Sequence, residues 1–220
     1  MTSRPAKTLT TETLKIKPHR GDALIVVDVQ RDFLPDGPVP VTSGDQVVPV
    51  LNEYIRQFAS RSSPVFATRD WHPPNHCSFK ENGGIWNRHC VAGEPGANWA
   101  PGLELPADVA VISKGTNPAK DAYSGFQGTT LHAQLQEGKV RRVFVGGLAT
   151  DYCVHNTVRD ALKRRYQVVL LIDAVRSVDL QTGDGALAVA DMLGRGAKWV
   201  RWEATPTADA GTTNSKSAAR

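Results

Sequence analysis

The feature that most restricts the fold is an alternation along the chain between short apolar runs and segments of helical period. Ala23–Val29 (ALIVVDV), Val65–Thr68, Val109–Ser113, Arg142–Val145, Gln167–Ile172 and Ala197–Trp202 read as strands. Val47–Phe58, Thr129–Gln136, Cys153–Arg165 and Gly185–Leu193 read as helices. Apolar runs of this kind suit strands covered on both faces, and strand–helix–strand order calls for parallel pairing through right-handed crossovers. The expectation is a single-domain α/β fold: a doubly wound, six-stranded parallel sheet with helices on both faces. Ligands in such sheets bind beyond the carboxyl ends of the strands, so the chemistry is sought there.

Composition narrows the setting. A chain of 220 residues can bury a full core as one domain. Residues 21–202 are assigned to that domain, with residues 1–20 as a basic disordered tail and 203–220 as a second, polar one. Arg4, Lys7, Lys15, Lys17 and Arg20 against Glu12 account for the whole net charge of +4. The body is therefore neutral, and no nucleic-acid partner is expected, since that needs a basic face on the folded domain. No apolar run approaches the ~20 residues that span a bilayer, and the first residues lack the apolar core of a signal peptide. The chain is read as cytoplasmic, with no membrane partner. Cys77, Cys90 and Cys153 are an odd number and are expected to be free thiols. Gly185–Leu193 offers an apolar face for the core or for a homo-oligomer.

Three polar groups fall at the ends of different strands: Asp28 after ALIVV, Lys114 after VAVIS, and Cys153 just beyond RVFVGG. A cysteine beside a carboxylate and an ammonium is equipped as a nucleophile, and at a helix start its thiolate gains from unpaired N–H groups. Taken singly, Asp28 also suits a cap, Lys114 a snorkelling surface lysine and Cys153 a small buried side chain. The irregular segment from Arg69 to Asp108 is too long for an ordinary connection, and Trp71, Phe79, Trp86 and Trp99 argue against disorder. It holds Asp70 and His72 as Asp-x-His, with His89 downstream. One carboxylate and two imidazoles suit a divalent first-row metal with open positions; His72, His76, Cys77, His89 and Cys90 could instead form a closed structural zinc site.

Five motifs in order, VVDVQRDF (from Val26), TRDWHPPNHCSF (from Thr68), WNRHCVAGEPGA (from Trp86), SKGTNPAKDAYSGF (from Ser113) and GGLATDYCVHNTVRDA (from Gly146), resemble the nicotinamidase family of the isochorismatase-like hydrolases. The resemblance implies an isochorismatase-like fold over 21–202 and hydrolysis of nicotinamide to nicotinate and ammonia through a thioester, with pyrazinamide as a second substrate. It implies a catalytic Asp28, Lys114 and Cys153, and an oxyanion hole from the N–H groups of Ala149 and Cys153 next to a cis Leu148–Ala149 peptide. Ring contacts from Phe33, Trp86 and Tyr123 follow from it, as does one divalent metal on Asp70, His72 and His89, with zinc expected first and iron or manganese as alternatives. His76 is given no ligand role. Family members usually carry Trp-Pro where Trp86 is followed by Asn87 and Arg88, which removes a constraint on the loop presenting His89. A linear-amide hydrolase of the same superfamily and a non-catalytic binding module are the rival expectations.

Overall fold

The computed structural model describes residues 17–202, so both tail assignments lie largely or wholly outside the described residues. The elements run β1 (Asp22–Val27), α1 (Val47–Ala59), β2 (Val65–Asp70), β3 (Ala110–Lys114), α2 (Leu131–Glu137), β4 (Arg142–Leu148), α3 (His155–Lys163), β5 (Gln167–Arg176), α4 (Asp184–Gly194) and β6 (Lys198–Val200). All six strands pair in parallel in the order β3-β2-β1-β4-β5-β6. The chain starts in the middle of the sheet, builds outward to β3, and returns to the other side of β1 for β4.

The alternation of β1 side chains divides the core. Leu24 and Val26 pack on the face covered by α1, against Leu51, Tyr54 and Phe58. Ala23, Ile25 and Val27 pack on the other face, with Leu131 and Leu135 of α2, Val158 and Ala161 of α3 and Met192 of α4. Each face needs an apolar partner, which is why β1 reads as an unbroken run instead of an alternating one. In α4 the inward side is Gly185, Ala188 and Met192, while Leu187 points outward at 71% exposure. Among the described residues no helix is long and apolar enough to cross a membrane.

Two boundaries differ from expectation. β5 runs on to Arg176, past Ile172, because Asp173 inside it is not left bare: it accepts hydrogen bonds from the Tyr54 hydroxyl (3.0 Å) and the Trp202 amide (2.8 Å). Its pairing with β4 shifts register between Val145 and Gly147. Cys153 is not the first residue of α3; it sits in a wide π-type turn, Thr150–Val154, that precedes it. The long segment after β2 contains no α-helix, yet it is laced to the body. Gln30 bridges to Trp99, His72 to Val91 and Phe79 to Trp86, with short single turns between.

Candidate active site

The strand ends β1, β2, β3 and β4 converge on one buried cluster centred on Lys114. Its ammonium lies 2.8 Å from Asp28 Oδ2, 2.5 Å from Asp70 Oδ1, 3.4 Å from Cys153 Sγ and 3.1 Å from the Ala122 carbonyl. Lys114 is 1% exposed, which rules out the snorkelling reading. Asp28 follows β1 in a left-handed conformation (φ 48°), one that Asp tolerates better than most residues. Its Oδ1 accepts a 2.5 Å hydrogen bond from the Thr68 hydroxyl. Its Oδ2 is close to Lys114 but has no well-aligned donor, so one buried acceptor faces the space shared with Cys153. Asp28 is therefore no helix cap.

Burial governs the protonation of the cluster. It raises the Asp28 carboxyl above its ordinary range, with the Lys114 ammonium opposing. It also pushes the Cys153 thiol up, again against Lys114. Cys153 itself lies in the wide turn Thr150–Val154 that runs directly into α3, two residues before the first residue of that helix. The nearest carboxylate to that thiol is Asp28, whose Oδ2 is held 2.8 Å from the Lys114 ammonium. Burial works against charge on Asp70 and Lys114 as well, but ion pairing wins: Lys114, helped by His72 and His89, keeps Asp70 far below the usual carboxylate range, and Asp28 followed by Asp70 keeps Lys114 well above its own.

Asp70 links this cluster to the two histidines. Its Oδ2 lies 3.6 Å from His72 Nε2 and 4.0 Å from His89 Nε2, and the three residues offer converging ligand atoms. Each imidazole is oriented from behind: His72 Nδ1 donates to the Gly115 carbonyl (3.0 Å) and His89 Nδ1 to the Asn87 carbonyl (2.7 Å). Both Nε2 lone pairs are thereby aimed at the same point, as a divalent metal requires. Burial lowers the basicity of His89; it does so for His72 too, but the contact with Asp70 reverses the balance. The closed Cys/His alternative does not form. His76 stacks on His72 at 4.1 Å with both its own nitrogens engaged, by Ser78 Oγ and the Lys120 carbonyl, and Cys77 and Cys90 stay outside the converging set.

The absent proline is offset by hydrogen bonds. Asn87 donates to the Pro38 carbonyl (2.9 Å) and accepts from Lys80 Nζ (3.0 Å), while Arg88 reaches the Pro74 carbonyl (3.0 Å) and Glu94 (2.5 Å). The Cys90 amide bonds Asp32 Oδ2 at 2.7 Å, and His72 N–H bonds the Cys90 carbonyl at 3.0 Å. The His89 loop is therefore pinned on both sides.

A cleft of about 420 Å³, part of it open to solvent, joins both groups. Phe33, Trp86, Tyr123, Ala149, Tyr152 and Cys153 line it together with Asp70, His72 and His89. Trp86 Nε1 donates to the Tyr123 hydroxyl at 2.9 Å, Tyr152 meets the Trp86 ring edge-on at 4.9 Å, and Phe33 lies 5.6 Å from His89. The Leu148–Ala149 peptide is cis. Every site residue expected from sequence lies at this cleft or in the Lys114 cluster beneath it. Sequence reasoning missed Tyr152, Thr68 and Gln30. Gln30 Nε2 donates to the Asp70 carbonyl (2.8 Å) and the Ala97 carbonyl (3.0 Å), and its Oε1 accepts from Asp70 N–H (2.8 Å). A glutamine directly after the apolar run ALIVVDV was the signal available for it, and the structure shows it fully buried.

The isochorismatase domain model matches residues 22–204. Nicotinamidase from Escherichia coli (strain K12) is 39% identical, covering 80% of this chain and 92% of that protein. Nicotinamidase/pyrazinamidase from Mycobacterium tuberculosis is 38% identical, covering 75% and 91%. Among solved structures, the pyrazinamidase of Pyrococcus horikoshii in complex with zinc superposes with a TM-score of 0.80 at 49% identity, covering 83% of this chain and 99% of that one. PnC1 from L. infantum in complex with nicotinate gives 0.76 at 37% identity, covering 83% and 93%. With the family model spanning all six strands, the chain belongs to the isochorismatase domain family, in its nicotinamidase branch.

Proposed function

We propose that the chain hydrolyses nicotinamide to nicotinate and ammonia, with pyrazinamide as a further substrate. The observation that carries this reading is the single aromatic-walled cleft into which both the Cys153 cluster and the Asp70, His72 and His89 set open. A linear amide gives the second set no task, whereas a pyridine ring presents it with a nitrogen lone pair. The donor set, one carboxylate and two imidazoles with open positions, fits zinc best, with iron or manganese as the other choices. Asp70, His72 and His89 would hold such an ion, which would act as a Lewis acid toward that ring nitrogen.

Phe33, Trp86 and Tyr123 hold the ring so that its carboxamide faces Cys153. Asp28 takes the thiol proton as sulfur attacks the carboxamide carbon. The N–H groups of Ala149 and Cys153 stabilise the oxyanion, donors worth on the order of 3 kcal/mol each in acyl transfer. As the C–N bond breaks, Asp28 returns the proton to the departing ammonia and a thioester remains. Water then gives a proton to Asp28 and attacks the thioester; the C–S bond breaks, the proton on Asp28 returns to sulfur, and the acid leaves as nicotinate, its remaining proton going to solvent. Lys114 keeps Asp28 and Cys153 in register throughout.

The test is ammonia release from nicotinamide, pyrazinamide and a linear amide. Cys153→Ala is expected to abolish release while leaving the fold and metal content intact, and persistent turnover would sink the reading. Chelation is expected to stop turnover reversibly without unfolding the chain; melting on chelation would return the metal to a structural role.

A further inference from the structure

We propose that Asp28, Asp70 and Cys153 form a second divalent-cation site, which Lys114 fills with its own ammonium, so that the protein holds one metal ion and not a pair bridged by Asp70. The proposal rests on the metal reading above. The ligand atoms of Asp28, Asp70 and Cys153 all lie within 4.8 Å of one another, and all three side chains are buried. Lys114 Nζ occupies the space between them, in contact with both carboxylates, the sulfur and the Ala122 carbonyl. Asp28 Oδ2 lacks an aligned donor in that space.

Asp70 divides its two oxygens between neighbouring cation positions. Oδ1 meets the ammonium, while Oδ2 faces the two histidine nitrogens. A carboxylate used in this way is the bridging ligand of a two-cation centre. Two carboxylates and a sulfur would suit a borderline or soft divalent ion, with the thiol ligating as thiolate: the S–H bond is replaced by a sulfur–metal bond and one proton is released. A sulfur held by a metal is a poor nucleophile. Lys114 supplies the positive charge without that cost, because an ammonium cannot bond covalently to sulfur and its covalent stem fixes it in place. Beyond orienting the catalytic groups, Lys114 thus protects Cys153 from the ion bound next to it.

Cadmium is the probe, since a cadmium–thiolate bond absorbs in the ultraviolet. Wild-type protein is expected to bind one equivalent with no thiolate absorbance, and iodoacetamide is expected to alkylate Cys153 at the same rate with and without that equivalent. Lys114→Ala is expected to take a second equivalent with the absorbance, to lose it in the Lys114→Ala/Cys153→Ser pair, and to have it suppressed by propylammonium, which replaces the missing ammonium. A thiolate band or a tenfold slower alkylation in wild type at one equivalent overturns the proposal, even if Lys114→Ala does not fold. So does a folded Lys114→Ala that still binds one equivalent without the band. Failure of wild type to bind any cadmium overturns the metal reading itself, and this one with it.

Discussion

Gln30→Leu isolates the part of the site that positions without reacting. The side chain is fully buried and nearly matched in volume by leucine, so the substitution removes three hydrogen bonds without opening a large cavity. It leaves the Asp70 N–H, the Asp70 carbonyl and the Ala97 carbonyl without partners. Each orphaned buried group costs about 1–3 kcal/mol, so the metal-free protein is expected to lose roughly 3–6 kcal/mol once local relaxation is allowed for. That is a large share of the ~5–15 kcal/mol that keeps a domain folded. The same three bonds clamp both sides of the residue whose carboxylate joins Lys114 to His72 and His89. Groups that orient a metal ligand typically tune affinity by about 10–100-fold, and a loss in that range is expected here. Urea unfolding of the metal-free protein measures the first quantity and chelator competition the second. A stability loss under about 1 kcal/mol together with unchanged affinity would refute the clamp, because orphaned groups of that kind cannot be silent. Gln30→Glu should fall between, since it keeps the acceptor for Asp70 N–H but turns an oxygen toward two carbonyls.

Two further substitutions probe neighbouring links. Thr68→Val removes the hydroxyl that favours ionised Asp28, so the carboxyl protonates at higher pH; because Asp28 serves as a base only when ionised, the acidic limb of kcat/KM should move upward in pH, and an unmoved limb would remove Asp28 from that role. Gly115 adopts φ +63°, and a Cβ there would lie 2.4 Å from His72 Cε1. Gly115→Ala should therefore displace the imidazole and cut metal affinity at least about tenfold, with ~1–2 kcal/mol of backbone cost besides; unchanged affinity by chelator competition would show that the ring has room to yield.

Much of this was legible in the sequence because two signals were periodic or local. Buried parallel strands need apolar residues on both faces, so ALIVVDV and RVFV could be found without any partner being known. Asp28, Lys114 and Cys153 stood out as polar groups ending such runs, and Asp70, His72 and His89 as a spacing that ligands adopt. What stayed hidden depended on contacts far along the chain. The continuation of β5 through Asp173 relies on Tyr54 and Trp202, which no local pattern links to it. The helical period traces back to Cys153, but the wide turn at Thr150–Val154 that leads into the helix leaves no periodic mark of its own. Loss of proline at Asn87 suggested a loose loop; only the positions of Pro38, Lys80, Pro74 and Glu94 reveal what holds it.

The strand order has a consequence for when the protein becomes active. β1, β2 and β3 form one side of the sheet and carry Asp28, Asp70 and Lys114, with His72 and His89 in the segment between β2 and β3. Cys153 follows β4, which must return across the chain's own starting strand to pair with β1. A chain synthesised from its N-terminus thus presents the candidate metal ligands and the buried lysine before the proposed nucleophile exists. Pairings so distant in sequence close slowly, which makes regained turnover a report on the seam between β1 and β4 and catalytic competence a late product of assembly.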